Sequence, residues 1–165
     1  ARFDLTAATY SLGDVRLRQK NYAEALTYYQ QALALANESR IAAYRSLCAI
    51  EIAYIHILQN ELSTARTSLK EGAEVALQIK SDILLAKALI PAMKLWQTTN
   101  NLEQAAQWAG LLTLHPEHAE PQRVETISRE LEILIGTERY AAPIERGKTL
   151  QLNNAINNLI ELLSP

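Results

Sequence analysis

Cysteine, glycine, proline and one-sided charge are all scarce in this chain of 165 residues. A single Cys48 cannot form an internal disulfide, so a disulfide-stapled framework is excluded. Five Gly and five Pro are too few for the many turns of an all-β fold, and three Val leave little material for strands. Sixteen basic residues against eighteen acidic give a net charge of −2 with no basic block. The general attraction on which nucleic-acid binding relies is therefore missing, and direct nucleic-acid contact is not expected. No apolar run approaches the roughly 18 residues of a membrane span, and no membrane partner is expected. Arg2-Phe3-Asp4-Leu5 lacks the shape of a signal peptide. These absences predict a soluble, cytoplasmic setting. A first residue other than Met suggests a fragment of a longer protein. What is abundant is Ala and Leu, a mixture that favours helix.

The chain repeats itself at a fixed offset, the one that carries Ala25 onto Ala65 and Ala65 onto Ala105. Asn21-Tyr22-Ala23-Glu24-Ala25 falls over Glu61-Leu62-Ser63-Thr64-Ala65 and over Asn101-Leu102-Glu103-Gln104-Ala105. Tyr29, Leu69 and Ala109 then stack four positions on, and Ala32, Gly72 and Leu112 seven positions on, which is the spacing of one helical face. A fixed period of this size implies stacked units, none of which can bury its apolar face alone. Polar breaks at Lys20-Asn21, Gln59-Asn60-Glu61 and Thr99-Asn100-Asn101 divide each unit into a helical hairpin. The resulting expectation is all-α, with nine helices at about 3–19, 22–36, 39–59, 62–79, 82–98, 102–114, 119–135, 138–147 and 152–163 and no strand. They group as repeats at about 3–37, 39–80 and 82–116, an irregular pair at 119–147 containing Pro143, and a closing helix, all within one domain spanning 1–165. The closing helix carries Leu152, Ala155, Ile156, Leu159 and Leu163 on one face and Asn153, Asn154, Asn157, Asn158 and Glu161 on the other, as a C-terminal cap requires. Its expected role is to cover the Val124, Ile127 and Leu131 side of the preceding long helix. Ala25, Ala65 and Ala105 are expected where two helices touch.

Residues 6–37 resemble the tetratricopeptide repeat, through Leu12-Gly13, Ala25, Tyr29 and Ala32. Thr9 stands where that pattern has Trp, Arg16 where it has Tyr, and Asn37 where it has Pro. The second and third repeats keep Ala65 and Ala105, with Ala53 and Met93 at the Gly position, and are longer than the usual unit. The tail Tyr140-Ala141-Ala142, Arg146-Gly147, Leu150, Leu152 and Ala155-Ile156 resembles the end of the helical-repeat region of large bacterial signalling proteins. These include LuxR-family regulators and STAND-type signal-transduction ATPases. The resemblances imply a right-handed superhelix of antiparallel helix pairs acting as a protein- or peptide-binding sensor or scaffold, part of a signal-transduction or transcriptional regulator. A free-standing adaptor is the alternative, and a small enzyme or nucleotide-binding protein a more distant one. Partners would be a protein, a peptide or other domains of the same chain. Self-association through Phe3 and Leu5 at an uncapped N-terminal end is a further expectation. The resemblance places ligand-facing positions of a concave surface at Tyr10, Asp14, Arg18, Ile50, Tyr54, Lys87 and Lys94. It also implies that the clamp of Lys, Asn and Arg used on terminal carboxylates is missing, because Tyr10 and Asp14 occupy two of its places.

No enzyme, cofactor or metal site is expected. Ala142 to Thr149 ends in Gly-Lys-Thr like a phosphate loop, but Pro143 lacks an N–H, Glu145 would repel phosphate and no strand precedes it. A helix end with Gly147 at the cap is the preferred reading. His115-Pro116-Glu117-His118 offers two imidazoles and a carboxylate, yet Pro116 breaks the helix that would align them, and a plain loop is expected. His56 and Trp96 fall at an interior position of the repeat and should be packed core rings. Cys48, with Ala49, Ile52 and Ile55 beside it on the helix, reads as a buried thiol. Three Asp leave almost nothing for a Ser-His-Asp arrangement, and Glu71/Glu74 and Glu130/Glu132 read as solvated faces.

Overall fold

A computed structural model describes residues 1–118 and 120–165. Among them are nine α-helices and no strand: α1 (Arg2–Arg18), α2 (Tyr22–Glu38), α3 (Ala42–Leu58), α4 (Leu62–Gln78), α5 (Asp82–Thr98), α6 (Leu102–Leu112), α7 (Pro121–Ile135), α8 (Thr137–Gly147) and α9 (Leu152–Leu163). The all-helical stack of hairpins read from the register of Ala25, Ala65 and Ala105 is the one observed, and it is tetratricopeptide-like, as the resemblance at residues 6–37 implies. The expected start of the seventh helix at 119 lies outside the described residues.

The period is finer than the sequence comparison indicates. Each of α1 to α5 is 17 residues long. The first six helices begin at even intervals, at Arg2, Tyr22, Ala42, Leu62, Asp82 and Leu102, so each helix and not each pair is the repeating step. Lys20, Arg40, Asn60, Lys80 and Asn100 all have φ between 54° and 63°, so one left-handed residue ends each of the first five helices. That residue reverses the chain while the backbone satisfies its own last carbonyls. Asn21 N–H donates to the Arg16 carbonyl at 2.9 Å, Ile41 to Ala36 at 2.8 Å, Glu61 to His56 at 2.8 Å and Asn101 to Trp96 at 2.7 Å. This is the Schellman closure, made here without glycine. The Asn21 side chain then accepts from Glu24 N–H and opens α2, and Ser81 does the same for α5 through Leu84 N–H.

The chain divides into two compact units, Ala1–Ile79 and Lys80–Pro165, where the sequence reading has one continuous domain. In the first, α1 packs on α2, α2 on α3 and α3 on α4, and α1 also meets α3. Small residues set the helix separations. Ala25 and Ala65 are fully buried. A Cβ on Gly13 would fall 2.7 Å from the buried ring of Tyr29, and one on Gly72 would fall 2.9 Å from Ile50 and 3.2 Å from the Ser46 carbonyl. Ser46 Oγ fixes that second crossing by donating to the Gly72 carbonyl at 2.8 Å. Leu17, Ala25, Tyr29, Ile52 and Ile55 form the shared core of this unit, with Tyr10 and Tyr54 packed against its edge.

In the second unit α5 lies against α6, α7 and α9, and α6 against α7 and α8. Ala105 is fully buried, and Trp96 and Trp108 meet edge to face at 5.1 Å. The α6/α8 crossing brings backbones together: a Cβ on Gly110 would fall 2.9 Å from the Ile144 carbonyl carbon, and one on Gly147 2.7 Å from that of Gln107. Gly147 is therefore the last helical residue of α8 and a contact point, not a left-handed cap, and Lys148 follows it at φ −63°. The apolar face read for α9 is the buried one, Leu152, Ala155, Ile156, Leu159 and Leu163. It packs on α5, however, not on the Val124 side of α7. The Ile127 and Leu131 face of α7 is buried in a unit where that helix meets α5, α6 and α8. The reason is length: α6 ends after 11 residues, so the chain turns early and places α7 and α8 on α6.

Candidate functional site

The side chains of the expected ligand-facing set fall into three environments. On α1, Tyr10 stands at the centre of an aromatic group, 5.4 Å from Tyr29 and 5.7 Å from Tyr44, and Phe3 meets Tyr44 at 5.5 Å. One turn along, Asp14 accepts a 2.6 Å hydrogen bond from the Tyr29 hydroxyl, which ties the half-buried carboxylate to the second helix of the pair. Arg18, a further turn along, is exposed. The spacing of four positions puts all three on one face of α1.

On α3, Tyr54 is half-buried against the same core. Ile50 is 1% exposed, and its side chain lies over Gly72 of α4. A residue so placed has no surface to offer a partner; it is a packing residue, and its assignment to the ligand-facing set is corrected. Glu51, beside it, is also buried, although in the sequence a carboxylate on a helix reads as solvated. Cys48 is fully buried, and burial first, then the charges of Glu51 and Asp14, push its thiol up to about 12. At that value the reactive thiolate is scarce, so Cys48 is a structural thiol.

Lys87 and Lys94 lie on α5, in the second unit, and both ammonium groups turn to α7. Lys87 Nζ donates to Glu120 at 3.1 Å, and Lys94 Nζ donates to Glu130 at 2.6 Å. Gln97 adds a second donor to Glu130 at 2.8 Å. Burial tends to raise the Glu130 carboxyl, but the hydrogen bonds from Lys94 and Gln97 and the ammonium charge outweigh it and hold the group below the ordinary carboxylate range. Glu130 thus joins two helices while its carboxylate stays partly exposed, so it is more than one member of a solvated face. The signal that could have found it is the spacing within the pairs: Lys87 and Lys94 are seven apart on α5, and Glu120 at the N-cap and Glu130 within α7 lie on a helix that runs beside it.

Of the remaining motifs, Ala142 to Gly147 are helical, and Lys148 Nζ and Thr149 Oγ1 close on their own segment at Glu145 and the Arg146 carbonyl. A phosphate loop needs backbone N–H groups free to point at an anion, and a helix interior spends them on its own carbonyls. His56 and Trp96 are buried as expected, with His56 Nδ1 2.6 Å from Glu61 Oε2. The segment His115 to His118 is a tight turn, His118 N–H donating to the His115 carbonyl at 3.0 Å. It stacks the two imidazoles with centroids 5.8 Å apart and planes 15° apart, and Glu117 Oε1 lies 3.4 Å from His118 Nε2. One ligand atom from each of the three residues lies within 4.8 Å of the others. The plain loop expected there does hold a potential ligand cluster, because a turn, like a helix, brings residues three apart together.

No helix among the described residues is long and apolar enough to cross a membrane. Neither a curated protein nor a solved structure matches the chain. A family model does: residues 7–39, which hold most of α1, the turn at Lys20-Asn21 and α2, match the tetratricopeptide repeat, a unit that generally mediates contacts between proteins.

Proposed function

We propose that this chain is a protein- or peptide-binding scaffold whose recognition surface in the first unit is the α1/α3 face bearing Tyr10, Asp14, Arg18 and Tyr54. The observation that carries the reading is the tetratricopeptide match at 7–39, combined with the half-buried Tyr10, Asp14 and Tyr54 on the first helices of the two pairs. Tyr and Arg are favoured anchors at interfaces, Tyr because its large ring loses little freedom for the area it covers and Arg because its planar guanidinium presents several donors at once. Asp14 is held in place by Tyr29, so its negative charge is preorganised for a donor on the partner. An extended segment with basic and acidic groups in alternation is the chemistry that suits Asp14 and Arg18 one turn apart.

Within this reading, the finer proposal is that the chain forms the C-terminal sensor part of a bacterial signalling or transcriptional regulator. The run from Tyr140 to Ile156 supports it. Lys87 and Lys94 would contribute to recognition only by leaving Glu120 and Glu130. Peptide-display selection on the purified chain tests the surface: the variant Tyr54→Ala with Arg18→Glu should bind the selected peptide at least tenfold more weakly, about 1.4 kcal/mol, with an unchanged helical spectrum. Equal affinity in that variant rejects the α1/α3 face. Sequencing upstream of the segment tests the regulator proposal, which requires an ATPase or DNA-binding region in the same reading frame.

A further inference from the structure

We propose that the turn between α6 and α7 binds one divalent transition-metal ion of the zinc class, with His115, Glu117 and His118 as ligands. The donor set comes first. Two imidazole nitrogens and one carboxylate oxygen form a combination that zinc takes readily, and imidazole selects zinc, cobalt and nickel over magnesium or calcium. The charge also suits: a single carboxylate offsets half of a divalent ion.

The geometry comes second. The His118 N–H to His115 carbonyl bond closes the turn and fixes the two imidazole-bearing residues on one side of it, with their rings nearly parallel. Metal–nitrogen distances of about 2.0–2.1 Å place tetrahedral ligand atoms about 3.4 Å apart. The three ligand atoms lie within 4.8 Å, and Glu117 Oε1 and His118 Nε2 are already at 3.4 Å. The adjustment left is a side-chain rotation, open to Glu117 because it is exposed. Both histidines are partly shielded, which lessens competition from water without closing the path of entry.

The surroundings come third. His115 also lines a cavity of about 240 Å³ with Asp82, Gln151 and Asn153, so one ligand of the set has a polar neighbourhood beside it. Pro116, on the same turn, lines a separate, mostly apolar cavity with Leu112, Pro121 and Val124. Three protein ligands leave a fourth position for water or for a side chain of a partner. The ion would stiffen the connection after α6, where the even spacing of helix starts ends.

The composition makes the test clean. The chain has three histidines and one cysteine; His56 is buried beside Glu61, and the Cys48 thiol is buried. Zinc competition against a chromophoric chelator should give one site per chain with micromolar affinity, and cobalt(II) bound there should show the visible absorption of a low-coordinate site. The double variant His115→Ala/His118→Ala should lose at least tenfold in affinity and lose the cobalt spectrum, with its helical circular dichroism intact. Glu117→Gln should show a smaller loss. Absence of stoichiometric binding to the full chain, or binding unchanged in a double variant that is folded, overturns the proposal. Should the double variant fail to fold, His115→Gln and His118→Gln singly, which keep polarity and bulk, carry the same prediction. The metal readout is independent of peptide binding at the α1/α3 face, so the two readings fail separately.

Discussion

The two compact units solve the same packing problem with different parts of the chain. In residues 1–79, helices of equal length are joined by turns of equal length, and the α1/α2 crossing sets a large side chain over a small residue, Tyr29 over Gly13, while Gly72 at the α3/α4 crossing faces the Ile50 side chain and, less closely, the Ser46 carbonyl. In residues 80–165 the period lapses after α6, and α6 and α8 cross with Gly110 against the Ile144 backbone and Gly147 against that of Gln107. The difference is one of tolerance. A side chain can rotate or shift by a few tenths of an ångström, whereas a helix backbone moves only with all its hydrogen bonds. The α1/α2 crossing of the regular unit should therefore absorb a substitution that the α6/α8 crossing of the irregular one cannot.

The sharpest challenge to this contrast is one methyl group placed in each unit. Gly147→Ala should have the largest effect, about 3 kcal/mol or more of destabilisation in denaturant unfolding, since the new Cβ would meet the Gln107 backbone. Gly13→Ala should cost less, about 1–3 kcal/mol, because the obstacle is the Tyr29 ring. A reversed order would dissolve the comparison.

A smaller effect distinguishes how the second unit holds α7. Glu130→Gln should cost about 0.5–1 kcal/mol, a value kept low because the carboxylate is partly exposed and screened. The folded state lowers the pKa of Glu130, so its contribution is complete above the ordinary carboxylate range and is lost as pH falls through the folded value. The stability difference between Glu130→Gln and the parent should accordingly shrink on acidification. A difference constant with pH would mean that the ion pair contributes nothing.

The smallest expected effect is a gain. Arg40 holds a left-handed conformation at φ 56°, which strains any residue with a Cβ. Arg40→Gly should stabilise the first unit by up to about 1 kcal/mol, the relief of strain exceeding the added freedom of the unfolded chain. A loss of stability would show that the Arg40 side chain makes a contact worth more than its backbone strain.

Much of the architecture is legible in the sequence because one register governs it. Alanines in that register locate the helix contacts at Ala25, Ala65 and Ala105, and the segregation of Asn from Leu in 152–163 identifies the buried face of α9. The partner of that face is not legible, since an amphipathic pattern states that a face must be covered and not by what. Long-range partners escape for the same reason: Glu120 and Glu130 look like any surface carboxylates until α7 is laid beside α5. Ile50 is misplaced by counting along a pattern, where the lack of a side chain at Gly72 draws it inward. The 115–118 cluster escapes because Pro116 forbids a helix, although the turn that replaces the helix restores the same juxtaposition.

The α1/α3 surface is the central functional claim, and a comparison of affinities measures it most directly. A peptide selected on the purified chain should bind the Tyr54→Ala/Arg18→Glu variant at least tenfold more weakly, about 1.4 kcal/mol. Substitution of the exposed Gln31 of α2 by Arg should leave its affinity unchanged. A peptide that responds to Gln31→Arg and ignores the double change would place recognition on the second helices and contradict the account.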